Sequence, residues 1–233
     1  MSKGFSSVWT REGRSAKSTP GLSREQIVRA ALELLDAEGT DGLSMRKLGA
    51  KLGAGATSIY WYVANKDELL ELAYDEIWGE MVIADAEEVS WRYSAASFGK
   101  SMRQTILRHP WASQLIGRIP AIGPNALRAT DRLRHAVTVA GFEGLEIDYA
   151  ISTLTAYIFG MTIPETAFNE YLTKEEPDQE AMRAAVVKAV ADYPEMAKRI
   201  TTVYDADPVE IREMSFDFGL YTVLDGLEAR LVT

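Results

Sequence analysis

Arg46, Lys47, Thr57, Ser58, Tyr60, Trp61, Tyr62 and Lys66 crowd into one stretch, LSMRKLGAKLGAGATSIYWYVANK, residues 43–66. Their chemistry is that of duplex recognition. A guanidinium such as that of Arg46 can grip a guanine edge through two hydrogen bonds, and ammonium groups such as Lys47 and Lys66 suit phosphate oxygens. The Thr57 and Ser58 hydroxyls can donate to bases or phosphates at a helix N-terminus, where backbone amides also favour phosphate. Tyr60, Trp61 and Tyr62 are consecutive, and consecutive helical residues point about 100° apart, so all three cannot be buried together. At least one faces solvent or a partner, where it can bond a phosphate or pack on a sugar or a thymine methyl.

Such groups must be carried by two short helices and a tight turn. Ser44 opens a helix that turns Met45, Leu48 and Leu52 inward and stops at Gly53. A second begins near Ala56 or Thr57 and turns Ile59 and Val63 inward. Gly49, Ala50, Gly53, Ala54, Gly55 and Ala56 permit the close approach and the turn, so the segment reads as a helix-turn-helix. Ahead of it Ser23 is an N-cap with Gln26 at the capping-box position. The helix it opens carries Ile27, Ala30, Ala31, Leu34 and Leu35 on one face and stops at Gly39. After Asn65-Lys66-Asp67 a long helix is expected from Asp67 to about Val89.

The remainder reads as helical throughout. Helices are expected over 94–108, 111–116, 124–140, 145–163 (ending near Pro164), 178–192, a short piece after Pro194, and 208–231. No alternating run with hairpin turns and no internal repeat occurs. The fold class is therefore all-α: a three-helix DNA-binding domain with a helix-turn-helix, plus a larger helical ligand-binding and dimerisation domain. Three divisions follow. Residues 1–21, with Lys3, Arg11, Arg14 and Lys17 among Ser, Thr and Gly, form a flexible basic arm; 22–66 form the DNA-binding domain; 67–233 form the body.

Composition excludes much else. The 233 residues are 47% hydrophobic, enough for a core, and contain no cysteine, which removes disulfides, thiolate metal sites and cysteine nucleophiles. No apolar run reaches the roughly 18 residues of a membrane span, and the start lacks the apolar core of a secretory leader, so a cytoplasmic location away from membranes is expected. A net charge of −9 argues by itself against nucleic acid. It hides an asymmetry: residues 1–66 hold ten Lys/Arg against six Asp/Glu (+4), whereas 67–233 hold fifteen against twenty-eight (−13). A basic head suffices for a local footprint, because phosphate attraction acts over about a Debye length. No Gly-rich phosphate loop, HExxH or nucleophile elbow occurs, so no enzyme is expected.

Ser23–Leu72 resembles the N-terminal domain of the tetracycline-repressor (TetR) family, through IVRAALELLDAEGTDGLSMRKLGAKLG and TSIYWYVANKDELL. The remainder, including FDFGLYTVLDGLEARL, resembles the ligand-binding and dimerisation domain of the branch that contains the tetracycline repressors. The resemblance implies a homodimer on a palindromic operator in double-stranded DNA, released when a small molecule binds the C-terminal core. By position it implies that Arg46 reads bases, that Thr57, Ser58, Tyr60 and Trp61 touch bases and phosphates, and that Lys66 contacts phosphate while opening the connecting helix. Thr57 stands where tetracycline repressors have proline and Tyr62 where they have histidine, so operator sequence does not transfer.

The drug-chelating histidine of those repressors falls at Ile116 and a drug-contacting one at Val82; the chain's two histidines are His109, expected to be capping or at the surface, and His135, expected exposed or at a pocket rim. Neither a metal chelate nor another cofactor is expected. What remains is an apolar pocket in a helical body. Its expected lining is Trp78, Met81, Val82, Phe98, Met102 and Trp111, with Leu115, Ile116, Tyr157 and Met161. Asn125, Arg128 and Arg132 could orient a polar or anionic group. The dimer face is expected from Ile151, Leu154, Ile158, Phe216, Leu220, Leu224 and Leu227, with Gly160, Gly219 and Gly226 allowing close approach. The reading is a ligand-responsive repressor. The alternatives are an activator of the same fold, or an all-α small-molecule-binding protein or enzyme.

Overall fold

The computed structural model describes residues 7–10, 22–203 and 207–231. Among them the elements are α1 (Arg24–Gly42), α2 (Met45–Lys51), α3 (Ala56–Ile59), α4 (Lys66–Gly79), α5 (Trp91–Arg108), a 3-10 turn (Pro110–Gln114), α6 (Pro124–Ala140), α7 (Leu145–Glu175), α8 (Gln179–Ala189), α9 (Pro194–Val203) and α10 (Pro208–Leu231), with no strand. The all-α expectation is met.

Side-chain caps fix where most of the head helices begin. Ser23 Oγ accepts the Gln26 N–H at 3.2 Å while Gln26 Oε1 accepts the Ser23 N–H at 2.8 Å, completing the capping box. Ser44 caps α2 and Asn65 caps α4 in the same manner, each accepting the N–H three residues on. Glycine sets the stops. Gly39 breaks α1 at φ +70°, and Gly53 turns the chain between α2 and α3 at φ +61°, a region where a Cβ is strained.

Helices α1 to α3 form the head and α5, α6, α7 and α10 the body, with α4 between them, yet their apolar side chains make one continuous core from Ile27 to Leu227. Helix α4 belongs to both halves. Leu69, Leu70, Leu72, Ala73, Tyr74, Ile77 and Trp78 are all buried, along with Glu68 and Asp75, so this helix has no broad polar face. Tyr74 and Trp78 meet edge to face at 6.1 Å. In the body, Arg103 of α5 grips Glu165 of α7 through two hydrogen bonds of 2.8 and 3.0 Å and lies 5.0 Å from the Phe216 ring of α10.

Two helix ends differ from expectation. Helix α4 stops at Gly79 rather than running to Val89. The following strap is instead caught by serines spaced along α5: the Val82 N–H donates to Ser101 Oγ and the Ala84 N–H to Ser97 Oγ, both at 2.9 Å, while Ser94 Oγ donates to the Ala84 carbonyl at 2.7 Å. Helix α7 passes through Pro164 and continues to Glu175. Proline forfeits one helical hydrogen bond and crowds the carbonyl four residues back. That carbonyl belongs to exposed Gly160, and buried Thr162, Thr166 and the Arg103–Glu165 pair hold the helix on either side. Packing here outweighs local propensity.

Of the expected basic arm, residues 1–6 and 11–21 lie outside the described residues. Ser7–Thr10 form a turn seated on α4 rather than a loose tail. Ser7 Oγ donates to Glu71 at 2.5 Å, the Val8 N–H donates to the same carboxylate at 3.0 Å, and the Trp9 ring lies 5.7 Å from the Arg24 guanidinium.

Asp75 couples α4 to α6. The N-cap of α6 is Gly123, which has no side chain to cap with. Asp75 reaches across instead and accepts the Ala126 N–H at 2.9 Å and the Asn125 N–H at 3.2 Å. A Cβ on Gly123 would collide with that carboxylate. Burial raises the Asp75 carboxyl above its usual range, against the opposing pull of the two amides and Arg128. The folded state thus holds this proton more tightly than the unfolded chain, and that contribution is lost as pH rises through the raised value. Asp75→Ala is expected to lower unfolding free energy by about 1–3 kcal/mol in urea melts, through two orphaned amides. Relative to Asp75→Asn, wild-type stability is expected to decline as pH rises from the ordinary carboxylate range through the raised Asp75 value, as read from urea melts across pH.

Candidate nucleic-acid interface and effector site

Helix α3 is a single turn that ends at Ile59, short of the Val63 expected on it, and the chain continues from it as a tight turn held by the Tyr62 and Val63 N–H groups on the Ile59 carbonyl at 2.9 and 3.1 Å. Ile59 and Val63 are fully buried and lock this unit to the head. The aromatic run divides accordingly: Trp61 is 60% exposed and Tyr60 46%, while Tyr62 is half-buried and its hydroxyl donates to the Leu22 carbonyl at 2.7 Å. Thr57 is exposed and Ser58 half-buried on the same turn.

Arg46 is exposed at the start of α2 and makes no hydrogen bond or ion pair among the described residues. Lys47 is exposed but paired with Glu38 of α1. Lys66 is half-buried, and its ammonium donates to the Thr40 carbonyl at 2.7 Å. It braces the start of α4 against the chain beyond the Gly39 break, as the Tyr62 hydroxyl braces the recognition turn against Leu22. Arg46, Thr57, Tyr60 and Trp61 remain as outward-facing groups with unspent donors or apolar surface.

The residues expected to line an effector pocket are dispersed. Phe98 and Met102 lie buried on the inner face of α5, with Trp78, Trp111 and Leu115 also buried and Met81, Ile116, Tyr157 and Met161 packed at the core margin. Tyr157 is tied into α10 by its hydroxyl, which donates to the Phe216 carbonyl at 2.8 Å. Val82 stands apart at 80% exposure on the strap. Asn125 is held at the α6 N-terminus, Arg128 donates to its side-chain oxygen, and Arg132 donates to the Ile83 carbonyl at 2.9 Å.

His109 is neither a surface group nor a helix cap of the ordinary kind. It is 5% exposed at the end of α5, with Nδ1 2.7 Å from Asp36 of α1 and Nε2 3.2 Å from Glu80 beyond α4. Trp111 Nε1 donates to the same Asp36 oxygen at 2.7 Å. These carboxylates join head, connecting helix and body at one point. The sequence signal was Arg-His-Pro-Trp at a helix end, but its partners lie more than seventy positions upstream for Asp36. His135 is exposed and meets Glu87 at 2.8 Å.

The buried apolar stripe of α7 and α10 also sits differently from expectation. Leu154, Ile158, Phe216, Leu220, Leu224 and Leu227 are all buried within the single chain, and Gly219 abuts Tyr157. These residues close the body's own bundle. The opposite faces carry Tyr149, Met214 and Phe218, the last 78% exposed, and Gly160 and Gly226 open onto free space.

Residues 27–73 match the family described as bacterial regulatory proteins, tetR family, and residues 84–231 match the family described as tetracyclin repressor-like, C-terminal domain. The chain belongs to the TetR family. It is 36% identical over 194 residues to an HTH-type transcriptional regulator of Saccharopolyspora erythraea, covering 82% of this chain and 80% of that protein. It is 32% identical over 216 residues to the HTH-type transcriptional repressor DrrR1 of Streptomyces coeruleorubidus, covering 90% and 78%. Its fold matches that of ActR from Streptomyces coelicolor, solved in complex with actinorhodin, at a TM-score of 0.74 and 24% identity over 90% of this chain and 98% of ActR. The chain is thus a TetR-family transcriptional regulator with a helix-turn-helix head.

The split among the aromatic and basic residues has a measurable consequence. Trp61→Ala and Arg46→Ala are expected to leave urea-melt stability within about 0.5 kcal/mol of wild type, as exposed substitutions do. Tyr62→Phe is expected to cost about 1 kcal/mol by removing the bond to the Leu22 carbonyl. Equal stability losses in all three variants would refute the division.

Proposed function

We propose that the chain is a ligand-responsive repressor that works as a homodimer on a palindromic operator and leaves it when a small apolar or amphipathic effector binds the C-terminal body. The observation that carries this reading is the exposure of Thr57, Tyr60, Trp61 and Arg46 on a turn whose other side is locked into the core. A rigid, outward turn of this size fits a major groove, and phosphate attraction needs only the local positive balance of the head. The likeness to the transcriptional repressor DrrR1 and to ActR, solved in complex with actinorhodin, supports repression and small-molecule control here. Helix α4, shared by head and body, is the element through which an occupied body would move the head. Release requires only that the effector favour the arrangement with the wrong spacing between heads.

Dimerisation in this reading uses the outer faces of α7 and α10, where Tyr149, Gly160, Met214, Phe218 and Gly226 are open. Two such pairs make a four-helix bundle and set the heads about one helical turn apart. Phe218→Glu is expected to convert dimer to monomer in analytical ultracentrifugation while leaving the helical content unchanged; a dimer of undiminished strength would exclude this face.

Footprinting on the DNA flanking the gene is the direct test of the operator reading. Protection of two half-sites about one helical turn apart is expected, with affinity falling steeply as salt rises. Weak, sequence-independent binding would overturn it.

A further inference from the structure

A cleft of about 500 Å³ opens where head meets body, within the size range of small-molecule sites. One wall is the end of α1 on both sides of the Gly39 break; the other is the part of α7 beyond Pro164, and the floor is formed by Leu107 and Pro110, with Leu35 and Trp111 buried behind them. Apolar atoms at the base and polar groups at the rim are the arrangement that holds an amphipathic molecule.

The rim is acidic on both walls. Asp36, Glu38 and Asp41 come from α1 and Glu170 from α7, against the single ammonium of Lys174. Two of these carboxylates are already engaged, Asp36 by His109 and Trp111 and Glu38 by Lys47. Asp41 has no hydrogen-bond or ion-pair partner among the described residues, and the side-chain amide of half-buried Asn169 has none either. Half-buried Glu170 meets exposed Lys174 only at 3.5 Å, one helical turn away, a contact that a competing cation displaces at little cost.

We propose that this junction cleft is a small-molecule site for an organic ammonium ion with an apolar body. The ammonium donates to the free carboxylate of Asp41 and, in place of Lys174, to Glu170, and the apolar part lies on half-buried Leu107 and Pro110. The site is separate from the body core in which the effector reading is framed. Its position gives it a consequence for the head. Thr40 on the α1 wall donates to Gln114 at 2.7 Å across the junction, and its carbonyl holds Lys66 at the start of α4. An occupant touching both walls binds with a strength that depends on their separation, and so is linked to head position. That consequence, unlike the binding itself, rests on the head being the DNA reader.

Calorimetric titration of the free full-length protein with phenylbutylammonium, and with phenylbutyrate as its charge-reversed counterpart, tests the site without DNA. One ammonium per chain is expected, with the carboxylate binding at least about tenfold more weakly. Asp41→Asn is expected to weaken ammonium binding about fivefold, and Thr173→Trp, which fills the cleft from an exposed position on α7, to abolish it. Thermal melts of both variants, each altered at an exposed residue, report that they fold. No binding, equal affinity for the two probes, or affinity unchanged by both substitutions would overturn the proposal. None of these outcomes bears on operator recognition, which footprinting reads separately.

Discussion

Helix α4 is buried on nearly every side, and that constraint organises the molecule. An amphipathic helix can be peeled from its neighbour at the cost of one face. A helix with Leu69, Leu72, Ala73 and Ile77 packed on the head and body together cannot move without repacking both. Its two ends are fastened by polar contacts. Lys66 holds the Thr40 carbonyl at one end; Asp75 caps α6 and Glu80 meets His109 toward the other. Displacement of the body therefore reaches the head through a rigid element.

Polar groups do the joining because direction matters at these points. Apolar contact is non-directional and tolerates sliding. The Asp75 carboxylate fixes the register of α6 against α4, and the absence of a side chain at Gly123 is what admits it. The pair of contacts around His109 does the same for α1 and the end of α5. Arg103 and Glu165 repeat the device inside the body, where a bidentate pair aligns α5 with the stretch of α7 beside Pro164.

Exposure follows the same logic on the outer surface. In the recognition turn, Ile59 and Val63 are spent on the core, so the residues between them divide between struts and free groups. In α7 and α10, the most regular apolar stripe is consumed by the chain's own bundle, and the less regular Phe218 and Met214 face are left open. A stripe with good helical period identifies a buried face but not which molecule buries it.

The sequence by itself determined the local matters: the all-helical class, the capping box at Ser23, the stops at Gly39 and Gly53, and the impossibility of burying Tyr60, Trp61 and Tyr62 together. Each depends on backbone preferences and side-chain directions acting within a few residues. Only the tertiary structure decided that Tyr62 and Lys66 turn inward, that α4 ends at Gly79, that α7 survives Pro164, and that His109 sits between Asp36 and Glu80. Those outcomes rest on partners between ten and seventy-three positions away. Local pattern carries no information about such partners, because their energy exists only once distant segments meet.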